Sequence, residues 1–234
     1  MKRKLSIYSF ILMSFVLITW GCSKSDDNNT PNTATVTDID GNIYHTVTIG
    51  TQTWMVENLK VTKFRNGVAI PNITDGQQWR SATTSAYCNY NNNLANVATY
   101  GRLYNWYAVN DSNKICPPGW HIPTYQEWAT LMNFLGGENV AGDKLKEKGP
   151  AHWGISNTSA TNENGFTALP AGTRSFEYAT TDFSNQGGET FWWTSSVHNA
   201  TIAWHSSINC LMPVISINCQ LNKKNGFSLR CIKD

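Results

Sequence analysis

Charge is what this sequence has least of. Asp, Glu, Lys and Arg make up only 15% of its 234 residues, and none of them occurs among the 33 residues from Thr190 to Asn222. Nucleic-acid affinity comes mostly from clustered Lys and Arg, and the formal net charge is only +2. Three of those cations, Lys2, Arg3 and Lys4, precede an apolar run; without them 15 basic residues face 16 acidic ones, a net charge of −1. No nucleic-acid partner is expected. The apolar run itself, Ile7 to Trp20, falls short of the roughly 20 residues of a spanning helix. Neither a C-x-x-C pair nor a Cys/His ligand spacing is present, which argues against structural zinc and leaves no metal or other cofactor indicated. Asp38 to Asn42 (DIDGN) lacks the 12-residue pattern with a terminal Glu that a calcium loop needs, so it reads as a β-turn.

What is present at the N-terminus is an address. A basic start, a short apolar stretch and Gly21-Cys22 together form a signal peptide. A cysteine directly after a small residue resembles the bacterial lipoprotein box, whose thiol receives diacylglycerol and becomes the new N-terminus. Cys22 is thus the expected lipidation site, residues 1–21 the segment removed, and the lipid the link to the membrane. Residues 22–37, rich in Asn, Thr and Asp, are expected to be a disordered tether. Asp26-Asp27 resemble the surface-export signal of Bacteroidetes lipoproteins, so the expected location is the outer membrane, at the cell surface.

Beyond the tether, short apolar and aromatic pieces are cut by Gly and by 23 of the chain's 26 Asn with no second linker, giving one domain over residues 38–234. Alternation around Gly50 from Tyr44 to Leu59 predicts a hairpin. Tyr100, Leu103, Tyr104 and Tyr107 share one face of a helix near residues 99–109. Thr124 and Glu127 form a capping box that opens a second helix, with Trp128, Leu131, Met132 and Leu135 on one side and Gly136-Gly137 at its end. Strand-like segments follow at 166–169, 191–195, 202–208, 214–221 and 227–232. Helices first and antiparallel strands after make the fold class α+β, with the helices packed on a sheet.

Five motifs carry a resemblance: YGRLYNWYAV (Tyr100 to Val109), CPPGWHIPTYQEW from Cys116, NENGFTALPAG (Asn162 to Gly172), FWWTSS (Phe191 to Ser196) and NGFSLRCIKD (Asn225 to Asp234). In this order they resemble the Fibrobacter succinogenes major paralogous domain, a family of exported bacterial domains. The resemblance implies a C-type-lectin-like fold, in the variant shared with formylglycine-generating enzymes: a twisted antiparallel sheet, two helices and long irregular loops. On that fold Cys116 lies just before the second helix and Cys231 in the last strand, so a Cys116–Cys231 disulfide is expected, worth some 4 kcal/mol if unstrained. Spacing alone does not decide the connectivity, and the states of Cys88, Cys210 and Cys219 stay open.

The uncharged stretch 190–222 is the candidate contact face. Trp193, His198, Asn199, Trp204, His205 and Asn209 combine flat aromatics with amide and imidazole groups, which suit the C–H faces and hydroxyls of a glycan and serve a surface-protein partner equally well. The competing expectation is that its tryptophans are core. The calcium motifs of sugar-binding C-type lectins are missing, so any glycan recognition is expected to be calcium-free. An enzymatic alternative rests on Cys210 and Cys219, since formylglycine-generating enzymes bind copper through two late cysteines. Here the two are nine residues apart and lack the enzyme's flanking residues, so the expectation is a binding module and not an enzyme; a purely structural envelope lipoprotein is the remaining alternative.

Overall fold

Alternating side chains on either side of Gly50 produce the expected hairpin, with Gly50 itself at φ +61° in the left-handed region. The computed structural model describes residues 34–177 and 182–234. The signal peptide, Cys22 and most of the tether lie outside the described residues. The folded domain begins earlier than residue 38. Strand β1 (Thr35–Thr37) pairs antiparallel with β2 (Ile43–Ile49), so the last three residues assigned to the tether belong to a sheet. Between them Asp38 orders the turn by accepting from the backbone N–H groups of Asp40 and Asn42 and from the Tyr44 hydroxyl, which confirms the β-turn reading.

The chain continues through β3 (Gln52–Met55), α1 (Gly76–Ser81), β4 (Tyr87–Cys88), α2 (Ala95–Tyr100), β5 (Leu103–Tyr104), α3 (Trp106–Val109) and β6 (Trp120–His121). Next come α4 (Tyr125–Phe134), α5 (Glu138–Leu145), β7 (Ala171–Arg174), β8 (Phe183–Gln186), β9 (Glu189–Val197), β10 (Ile202–Asn209), β11 (Ile215–Asn222) and β12 (Ile232–Lys233). The result is mixed α and β, with few and short helices. Instead of one sheet there are two five-stranded ones, ordered β1-β2-β3-β12-β6 and β11-β10-β9-β7-β8, plus the small pair β4-β5. Pairing is antiparallel except between β7 and β9.

The single helix expected near 99–109 does not form. Gly101, at φ +76°, ends α2; a Cβ there would lie 2.7 Å from Asn58 Cβ and 2.9 Å from the Leu59 carbonyl oxygen. Close approach of two backbone segments thus overrides a periodicity that favoured continuation, and Leu103-Tyr104 pair with Tyr87-Cys88 as a strand. The second helix forms as expected: the Thr124 hydroxyl accepts from the Glu127 N–H, and the Glu127 carboxylate accepts from the Thr124 N–H at 2.7 Å. Residues 166–169 and 227–231 make only isolated bridges, because they run between the sheets and spend their backbone on several neighbours.

The two larger of three buried clusters are rich in aromatics; the third gathers around Trp79 and Tyr90. The first includes Tyr104, Trp106, Trp193 and Phe227, and it contains the Cys116–Cys231 disulfide, Cα–Cα 6.1 Å, as expected. The second stacks Trp54, Trp128 and Trp192, with Trp54–Trp128 centroids 4.8 Å apart and Trp128–Trp192 centroids 5.4 Å apart. Arg230 runs into this second core with its guanidinium 4.1 Å from the Phe166 ring centroid, and burial pushes its pKa down to about 9. Asn58 links the two: its Oδ1 accepts from Trp192 Nε1 at 2.8 Å and from Arg230 Nη2 at 3.2 Å.

Candidate functional site

Strands β9, β10 and β11 carry the uncharged stretch, and their alternation sends much of it inward. Trp193 is fully buried, its Nε1 donating to the Tyr104 carbonyl at 3.0 Å, so it is a core residue and not part of a contact face. His205 is only 3% exposed and packs among Phe191, Trp193 and Phe227. Burial lowers its pKa to about 4, so the imidazole is neutral at pH 7, and its Nδ1 has no hydrogen-bond partner. At the inward positions of these strands the lack of charge is the mark of burial, where an ionised side chain would cost several kcal/mol, whereas the exposed turns at 197–201 and 211–213 are uncharged without being buried.

Asn199 and Asn209 are spent on turns. Asn199 Oδ1 accepts from the N–H groups of Thr201 and Ile202, and Asn209 Oδ1 accepts from those of Leu211 and Met212. Lysines from outside the uncharged stretch clamp these same turns. Lys223 donates to the carbonyls of Asn199 and Ala200 while lying 4.4 Å from the Trp106 ring centroid. Lys146 donates to those of Asn209 and Met212 and pairs with Asp143 at 2.7 Å.

The structure does bring two of the expected residues together on the surface. His198 is exposed, Trp204 is half-buried, and their rings meet edge to face at 5.2 Å. Trp204 also packs against Tyr125, the first residue of α4, with ring centroids 5.3 Å apart. A hydrogen bond from the Tyr125 N–H to Ser196 Oγ fixes α4 against the end of β9. Gln220 is exposed and directly opposite Trp204 across the β10-β11 pair. Trp204 Nε1, the Tyr125 hydroxyl, the His198 ring nitrogens and the Gln220 amide make no hydrogen bond to other described residues, so all of these polar ends face outward unspent. Tyr125 and Gln220 were missed by the sequence reading. Tyr125 had a visible signal, since it follows the helix cap, but the pairing of Gln220 with Trp204 depends on a register that a bulge between His205 and Ser207 shifts.

The chain belongs to the Fibrobacter succinogenes major domain family. The family's model matches residues 47–233, which hold all the site residues described above and both sheets apart from β1 and the start of β2. No curated protein and no solved structure matches the chain.

Within this family domain the three remaining cysteines are unpaired. Cys88 is buried, and burial pushes its thiol up to about 12. Cys219 lies opposite His205, five positions along β10 from Cys210, or roughly 16 Å at strand rise. The two do not bridge, and that spacing is far too long for one copper ion to be shared by both sulfurs. Burial also raises the Cys219 pKa, the opposite of what thiolate chemistry needs. Among the described residues no three His, Cys, Asp or Glu side chains are grouped to hold a metal, and no helix is long and apolar enough to cross a membrane.

Proposed function

We propose that this domain is a binding module of the cell envelope whose surface platform of Tyr125, His198, Trp204 and Gln220 recognises a neutral glycan. The observation that carries this reading is the half-buried Trp204 indole, packed against the rings of Tyr125 and His198 with its Nε1–H left free. A rigid aromatic face accepts the C–H side of a sugar ring, while unspent amide, imidazole and phenol groups exchange hydrogen bonds with its hydroxyls. No full charge needs to be desolvated on binding. The paired antiparallel sheets, the capped α4 and the disulfide that ties β12 to the middle of the chain support a C-type-lectin-like fold. In this reading residues 1–21 are removed, Cys22 is lipidated, and the tether presents the domain at the outer-membrane surface.

An array of neutral and acidic glycans and envelope proteins, probed with the full chain in mild detergent, tests the reading. Binding to neutral glycans should appear and be lost in Trp204→Ala. A signal confined to protein partners, or one indifferent to Trp204→Ala, would overturn the glycan assignment.

A further inference from the structure

A cleft of about 340 Å³ opens elsewhere, beside the Cys116–Cys231 disulfide. Its floor is aliphatic, formed by Val109, Ile115 and Ile122, all buried. Two cations, Arg65 and Lys114, line it, and neither forms an ion pair among the described residues. Arg65 spends Nε and Nη2 on the carbonyls of Cys116, Pro117 and Trp120 at 2.9 to 3.0 Å, which fixes the guanidinium in place and leaves Nη1 without a partner. Lys114 sits at φ +57°, a left-handed conformation uncommon for a residue other than Gly, Asn or Asp. Its carbonyl accepts from the Arg65 N–H at 2.8 Å, so the two cationic residues are held side by side.

His121 and Asp234 also line the cleft, so its wall carries a carboxylate as well as cations. His121 places Nδ1 2.6 Å from Asp234 Oδ1 and Nε2 2.9 Å from Glu127 Oε1, and only an imidazolium can donate at both nitrogens. One imidazolium thus stands between two carboxylates, and with Arg65 and Lys114 three cations face Asp234 and Glu127, a net side-chain charge of +1 beside an apolar floor.

We propose that this cleft binds a small carboxylate-bearing ligand of about monosaccharide size, its carboxylate held by Lys114 and Arg65 and its C–H body against Ile115 and Ile122. The site is separate from the Trp204 platform and does not depend on it.

The test uses D-glucuronate, D-glucose and inorganic phosphate, titrated into the full chain in detergent while the methyl resonances of Ile115 and Ile122 are followed by NMR. Glucuronate should shift both methyls, and glucose should not. Lys114→Gln, which removes the charge but keeps a flexible polar side chain at an exposed position, should weaken glucuronate about 10-fold, the usual consequence of losing one charge-assisted hydrogen bond. Trp204→Ala should leave the response intact, so failure of the platform would not be mistaken for failure of the cleft. Three results would overturn the proposal: no methyl shift at about 50 mM, where an interaction of about 2 kcal/mol half-fills its sites; equal shifts from glucose or phosphate; or no effect of Lys114→Gln.

Discussion

His205 makes the stability of this domain depend on pH in a way that can be worked out in advance. Its pKa is about 4 in the folded chain, against about 6.5 when solvated, because the ring is enclosed by Phe191, Trp193 and Phe227. A depressed histidine pKa means that the unfolded chain binds the proton first. Stability is therefore complete above about pH 6.5 and drains away as the pH falls towards 4. Each pKa unit corresponds to about 1.4 kcal/mol, so the loss between pH 7 and pH 4 comes to about 3 kcal/mol from this one group. His205→Phe keeps an aromatic ring in the cluster and removes both the titration and the unpartnered Nδ1. Urea unfolding of both chains at several pH values between 4 and 7 isolates the effect, because the carboxylates common to both cancel in the difference. The variant should match or exceed the parent at pH 7 and exceed it by about 3 kcal/mol more at pH 4. Parallel stability curves would refute the argument that burial keeps this imidazole neutral.

Other parts of the fold give further expectations. Thr124→Ala removes the cap of α4 and should cost about 1 kcal/mol in denaturant unfolding, with Thr124→Ser recovering most of it. Asn58→Ala leaves Trp192 Nε1 and Arg230 Nη2 without their acceptor, while Arg230 Nη1 keeps the Phe166 carbonyl; a loss of about 2 to 4 kcal/mol is expected, and a change under about 1 kcal/mol would show that both donors find other partners. Replacing Cys116 and Cys231 together by Ala opens a loop of 115 residues and should cost about 2 to 5 kcal/mol, read from the urea midpoint. His121 works in the opposite sense to His205. Burial draws its pKa down, but hydrogen bonds to Asp234 and Glu127 outweigh that and leave it raised, so its contribution is present below about pH 6.5 and lost as the pH rises through the raised value. Asp234→Asn should lower the NMR titration midpoint of His121.

Local signals were legible wherever a few neighbouring residues decide the outcome. The Thr124–Glu127 box, the Gly50 hairpin and the Asp38 turn each depend on groups within a few positions of one another. The disulfide was legible through family resemblance and not through spacing. What the sequence hid was set by distant contacts. Gly101 ends a helix because Asn58 and Leu59 lie against it, and no periodicity in residues 99–109 records that. The uncharged stretch is ambiguous for the same reason, since a buried strand and a neutral binding surface both exclude charge. Trp193 and Trp204 look alike in sequence, and only their places on β9 and β10, with a bulge between Ala203 and His205, send one inward and leave the other at the surface. Asn199 and Asn209 look free until the turns they close are seen.

Two-dimensional ¹⁵N NMR of the full chain, titrated with a neutral oligosaccharide taken from the array, addresses the binding role most directly. The indole N–H of Trp204 and the side-chain amide of Gln220 should shift together, while the indole N–H of Trp193, bonded to Tyr104 inside the core, stays still. A Trp204 indole that does not move under saturating glycan would contradict the account.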